Sequence, residues 1–211
     1  MRAQALAIAL LAAGCTAPNP GLGGVPPLDA PSLVVASGAQ PDSMVGVHRE
    51  GPLDPQGSDV TLAVNDVQLR VRTTQNGHVA IEQLDLSIAD EDVPASAQLP
   101  SGAKLRNQRL EATGPLKATV VLSEPDRLVL HASGALQYHT SLVLTDGTLY
   151  PLGESSAMGQ DLDIQITRTA TGVKVTLDTP PNQTCAEIGD LLTLSRCSLF
   201  VESEGAVTPI E

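Results

Sequence analysis

Side chains able to do chemistry are few and scattered in this chain of 211 residues. Ser133 stands two positions after His131, the closest approach of a nucleophile to a base. A catalytic triad needs that base within hydrogen-bond reach of the hydroxyl and a third group to orient it. Neighbouring strand positions assemble nothing of the kind, so the pair is read as a turn and a solvent face. No Gly-x-Ser-x-Gly elbow and no glycine-rich phosphate loop occurs. His48, His78, His131 and His139 never fall at a metal-ligand spacing; His131 and His139 could meet on neighbouring strands, but scattered surface histidines are the simpler account. Asp90-Glu-Asp92 offers oxygens of the kind calcium takes, yet without the glycine and terminal glutamate of an EF-hand loop it reads as a solvated loop. Asp161 and Asp163 alternate with Leu162 and Ile164, the pattern of a strand with one wet face. Asn182-Gln-Thr184 matches a glycosylation sequon and reads as a turn followed by a helix cap. No catalytic residue, metal ligand or cofactor is predicted.

Charge and aromatic content exclude further classes. The formal net charge is −12, with 12 basic against 24 acidic side chains, so nucleic acid and anionic head groups would be repelled rather than attracted. Tyr138, Tyr150 and Phe200 are the whole aromatic complement, too few and too dispersed for stacking sugars or single-stranded bases.

The elements that must carry any site are strands. From about Asp59 short runs of Val, Leu, Ile and Thr alternate with polar residues between turn signals. Leu62, Val64, Val67, Leu69 and Val71 repeat as Val79, Ile81, Leu84, Leu86 and Ile88. Both runs change face halfway, at Asn65-Asp66 and Glu82-Gln83, which predicts a bulged, bent hairpin across Asn76-Gly77. A meander follows: Ala118 to Leu122, a turn at Glu124-Pro-Asp126, Leu128 to Ala132, Ser133-Gly134, then Leu136 to Leu144. A final hairpin sets Leu162, Ile164 and Ile166 against Val173, Val175 and Leu177, with Gly172 expected at the left-handed turn position. Thr184-Cys-Ala-Glu187 fits a capping box and predicts a short helix carrying Ile188, Leu191, Leu192 and Leu194. Leu199 to Val201 forms a last strand. The fold class is therefore all-β, an antiparallel sandwich or partly open barrel with one short helix near the C-terminus.

The first residues supply the address. Met1-Arg-Ala-Gln-Ala-Leu-Ala-Ile-Ala-Leu-Leu-Ala-Ala-Gly-Cys15 has one positive charge, an apolar run too short to span a bilayer, and small residues leading into a cysteine. It resembles a bacterial lipoprotein signal. The resemblance implies cleavage before Cys15, lipid on the Cys15 sulfur, and a mature protein held to the cell envelope, with Thr16 in place of aspartate favouring the outer membrane. Ordinary secretory cleavage after Ala17 is the competing reading. With Cys15 assigned to lipid, Cys185 and Cys197 remain as an even pair in an oxidising compartment, expected to form a disulfide that pins the helix, worth about 3 kcal/mol.

The organisation read from sequence is thus 1–14 signal, 15–58 lipidated cysteine and Pro/Gly-rich tether, and 59–211 a single β-rich domain, with Leu33 to Ala36 available as one edge strand. Two functions fit. The first is a non-catalytic, membrane-anchored domain that works by contact with an envelope protein. The alternative is a carrier whose face of Leu136, Tyr138, Leu142 and Leu144 lines a groove for lipid or another apolar ligand, and an envelope enzyme without a recognisable motif comes third. Cavity volume separates the first two, since a carrier needs several hundred cubic ångströms and a contact domain is packed solid.

Overall fold

Alternating aliphatic and polar residues build strands along almost the whole chain. The computed structural model describes residues 24–96, 99, 101–150, 152, 155, 158–179, 186–188 and 191–210. Among them the elements are β1 (Ser32–Ser37), β2 (Met44–Gly51), β3 (Asp54–Thr73), β4 (Val79–Ile88), β5 (Glu91–Asp92), β6 (Lys104–Ala112), β7 (Lys117–Glu124), β8 (Arg127–Val143), β9 (Leu149–Tyr150), β10 (Met158–Arg168), β11 (Val173–Asp178), β12 (Ala186–Ile188) and β13 (Leu192–Pro209). All belong to one antiparallel sheet whose pairings return on themselves, from β6 through β4, β3, β1, β13, β11, β10 and β8 back to β6. The architecture is all-β, of the sandwich or partly open barrel type.

Three long strands, β3, β8 and β13, set the frame, and shorter strands share the positions beside them. Between β3 and β13, β1 fills one half and β2 the other. Beside β8, β7 pairs from Arg127 to Ser133 and β6 from Leu136 to Val143. The sheet therefore has two ends. One, the terminal end, carries the turns at Thr74–His78, Pro125–Asp126 and Thr169–Gly172 together with the start of β1 and the finish of β13. The distal end carries the Gly51–Asp54 and Thr145–Thr148 turns and the start of β13.

The terminal half is packed solid. Leu69, Val71, Ile81, Leu128, Leu130, Ile164 and Ile166 are all buried, and Leu28 closes that end, its N–H donating to the Pro125 carbonyl at 3.0 Å. Each fully buried aliphatic side chain stabilises the fold by roughly 1.5–3 kcal/mol.

The bent hairpin forms as its pattern requires. Asn65 is the extra residue of β3 and Glu82 that of β4, so Val64 and Val67, like Ile81 and Leu84, stay inward across the shift. Four other expectations are corrected. The tether does not extend to 58, because β1 is hydrogen-bonded on both edges rather than being an edge strand, β2 lies between β3 and β13, and Leu28, Leu53 and Arg49 are buried. The helix is replaced by a hairpin: Ile188 pairs with Leu192 and Ala186 with Leu194, and the Leu191 N–H closes the turn on the Ile188 carbonyl at 3.1 Å. Leu192 and Leu194 thus bury one strand face at a spacing of two, and the cap residue Thr184 lies outside the described residues. Ser133-Gly134 is no turn but the middle of β8; a Cβ on Gly134 would stand 2.5 Å from Leu116 Cδ2, so close packing explains the glycine. Gly172 likewise has no left-handed conformation, and its missing Cβ makes room for the Gly205 carbonyl oxygen, which would lie 2.2 Å away.

Candidate functional site

The polar interior lies in the distal half. Arg49 occupies the inward parity of β2 after Val45 and Val47, and only 3% of its side chain is exposed. Its Nε donates to Asp54 Oδ2 at 3.0 Å, Nη2 to Ser58 Oγ at 3.3 Å, and Nη1 to Glu91 Oε1. Ser58 donates in turn to Asp54 Oδ2. Although burial opposes ionisation of Asp54, the hydrogen bonds from Ser58 and Arg49 hold its carboxyl below the ordinary value. Burial dominates at Glu91 and raises its carboxyl, against the pull of Arg49 and with help from the charges of Asp54 and Asp92. Two carboxylates thus share one guanidinium, the Glu91 carboxyl raised by burial and that of Asp54 lowered by its hydrogen bonds.

Beside this cluster Tyr138 donates its hydroxyl to Gln108 Oε1, and Gln108 Nε2 donates to the Ala89 carbonyl. Burial pushes the Tyr138 phenol upward, so it stays protonated and acts as a hydrogen-bond donor rather than a base. Both groups border a cavity of about 60 Å³ whose walls include Val47, Leu62, Leu105, Leu136 and Leu162. That is room for a few water molecules, far below the several hundred cubic ångströms of an ordinary ligand pocket. A second hollow, about 320 Å³, is an open groove at the terminal end between Pro31, Ile210 and the Arg72 to Asn76 hairpin, and Arg72 there is already tied to Glu82.

Of the apolar face read from sequence, Leu136, Tyr138 and Leu142 point inward and are buried, while Leu144 is partly buried against the same core. Only Leu136 and Tyr138 reach the cavity wall. Asp161 and Asp163 are exposed on β10 while Leu162 and Ile164 are buried, as their alternation predicts. His131 and His139 do not face each other across strands; both stand on β8, one bound to Asp163 Oδ1 at 2.9 Å and the other to Glu111 Oε1 at 3.0 Å. No hydrogen bond joins Ser133 to His131, whose Nε2 lies 3.9 Å from Asp161 Oδ1. The hydrogen bond to Asp163 raises the His131 imidazole above its ordinary value. Among the described residues no group of three His, Cys, Asp or Glu side chains is placed to hold a metal ion.

The Asp90-Glu-Asp92 segment departs from a simple solvated loop. Asp92 pairs with Lys104 at 2.9 Å and Asp90 with Arg106 at 3.8 Å, while Glu91 turns inward to Arg49. The three carboxylates thus each face a cation rather than one another. The Arg49 cluster was missed because its centre lies in a stretch read as tether, though Val45, Val47 and Arg49 at alternate positions carried the signal of a charge on a core-facing strand. Cys197 is partly buried and packs against the core, whereas Cys15, Cys185 and the sequon residues Asn182 to Thr184 lie outside the described residues. No protein-family model matches the chain, and neither a curated protein nor a solved structure matches it.

Proposed function

We propose that this chain is a lipid-anchored protein of the bacterial cell envelope, held by an acylated Cys15 and acting through contact between its β-domain and an envelope protein. The outer membrane is the favoured location, and a Cys185 to Cys197 disulfide fits the oxidising compartment. The observation that carries the choice of contact over carriage is the interior: among the described residues aliphatic side chains fill the terminal half, and the distal cavity of about 60 Å³ is far smaller than a pocket for an acyl chain. The polar groups of the interior, among the described residues, are engaged with one another. Arg49 is fully engaged by Asp54, Ser58 and Glu91, Tyr138 is held protonated, and His131 faces two carboxylates in open solvent.

The anchor has its own test. Because the thioether forms on the Cys15 sulfur, Cys15→Ser is expected to move the protein from the membrane fraction to the released fraction, or to leave it unprocessed. Correctly cleaved Cys15→Ser protein that still sediments with membranes would end the lipoprotein reading.

A further inference from the structure

β7 stands outside the closed ring of strands, hydrogen-bonded to β8 on one edge only. β4 joins this region through a single bridge, Ile81 to Leu116, just before β7 begins, and among the described residues no second strand pairs with Lys117–Glu124. The other strands with one strand partner, β5, β9 and β12, have only two or three residues, whereas β7 has eight. An unpaired row of N–H and C=O groups of that length is a template for another strand. The side chains suit that use. Val120 and Val121 are 37% and 65% exposed, and the strand has no proline and no charge between its two ends.

The register singles out the occupant. Ala118 and Val120 lie opposite buried Ala132 and Leu130 and so belong to the core face; beyond the bulge at Val121 that parity passes to Ser123, opposite buried Leu128. Lys117 and Thr119 before the bulge therefore share the outer face with Leu122 and Glu124 after it. When a strand pairs antiparallel with its own copy about a two-fold axis, residues that face each other must lie on the same side of the sheet. In a strand of unbroken alternation, Lys117 and Glu124 would point to opposite faces and could not meet. The extra residue Val121 restores the match: Lys117 stands opposite Glu124 of the second copy, Ala118 opposite Ser123 and Thr119 opposite Leu122, with Val120 and Val121 at the axis. An edge bulge commonly turns away a foreign strand, but here both copies carry it at the axis, and the ladders on either side stay in step. Each end of the interface gains a pair of opposite charges, and among the described residues neither Lys117 nor Glu124 has an ion-pair partner in its own chain. These two charges cancel, so a chain of net charge −12 meets its copy through a neutral strand.

We infer that a second copy of this chain docks on the β7 edge, the two strands pairing antiparallel about a two-fold axis at Val120 and Val121. The pairing goes beyond the envelope contact proposed above and does not depend on acylation of Cys15. Sedimentation equilibrium of the purified full-length protein, density-matched in a non-ionic detergent, is expected to show monomer and dimer in exchange. Lys117→Glu and Glu124→Lys, both at exposed positions, each set like charges opposite one another at both ends of the interface. Either is expected to weaken dimerisation at least about tenfold while leaving the circular dichroism spectrum unchanged. Mixed in equal amounts, with one of them fluorescently labelled, the two variants carry complementary charges and are expected to form heterodimers with near wild-type affinity. Contacts within a single chain cannot produce restoration by mixing. Wild-type protein that stays monomeric up to about 1 mM, dimers that neither substitution weakens, or variants that fail to recover on mixing would each overturn a second copy as the occupant of this edge.

Discussion

Arg49→Ala is expected to cost about 3–5 kcal/mol, enough to unfold a domain of ordinary stability, because it strands two carboxylates in the core without their common cation. Thermal and denaturant unfolding followed by circular dichroism measure it, and a loss below ~1 kcal/mol would show that the cluster is open to water. Glu91→Gln should be mild by comparison, since the amide keeps an acceptor for Arg49 and removes a charge that burial already disfavours. The pH dependence has a definite sign. Glu91 is raised on folding, so its contribution is fully present below its unfolded value and is lost as pH climbs through the folded one. Asp54 is lowered, so its contribution holds above its unfolded value and disappears as pH falls through the folded one. Wild-type stability should accordingly decline on the alkaline side of the carboxylate range, and Glu91→Gln should abolish that decline while leaving the acid-side loss due to Asp54.

Leu142→Asp is the second large effect expected. Leu142 is 0% exposed, paired to Leu105 on β6 and Tyr150 on β9, and it does not border the cavity. An aspartate there loses the burial of the leucine and places a carboxylate at a fully buried position, costing several kcal/mol. Loss of the cooperative unfolding transition is the predicted outcome. In a carrier the same position would border ligand, and the variant would keep its transition while losing a bound lipid. Cooperative Leu142→Asp protein would therefore refute the packed-core account.

Sequence patterning conveyed the face of each strand better than its length. The alternation from Leu62 to Val71 and from Val79 to Ile88 located the core side and even both bulges, because an inserted residue shifts the parity of everything beyond it. Strand continuity was less visible. Gly134 marks a turn by propensity, yet Leu116 fills the place of its missing side chain, so β8 runs straight through it. The segment from Ala186 to Leu194 fits both a capped helix and a hairpin, and the pairing of Ala186 to Ile188 with β13 decides between them through long-range contact that local sequence does not report. The proline- and glycine-rich composition hid β2 and the two-sided pairing of β1, whose few aliphatic residues are stabilised by neighbours on both sides. For the same reason the Arg49 cluster escaped notice: Arg49, Asp54 and Glu91 are brought together only when β2 and β3 pair and the segment leading to β5 folds beneath them.

The central claim, a domain that works by contact and encloses no cargo, is tested most directly by comparing native and denatured masses of the membrane-extracted protein after detergent removal. The two masses per chain should be identical, the polypeptide plus only its covalent acyl groups. A native mass larger by that of a lipid or other apolar molecule, lost on denaturation, would contradict the account and assign the chain to carriage.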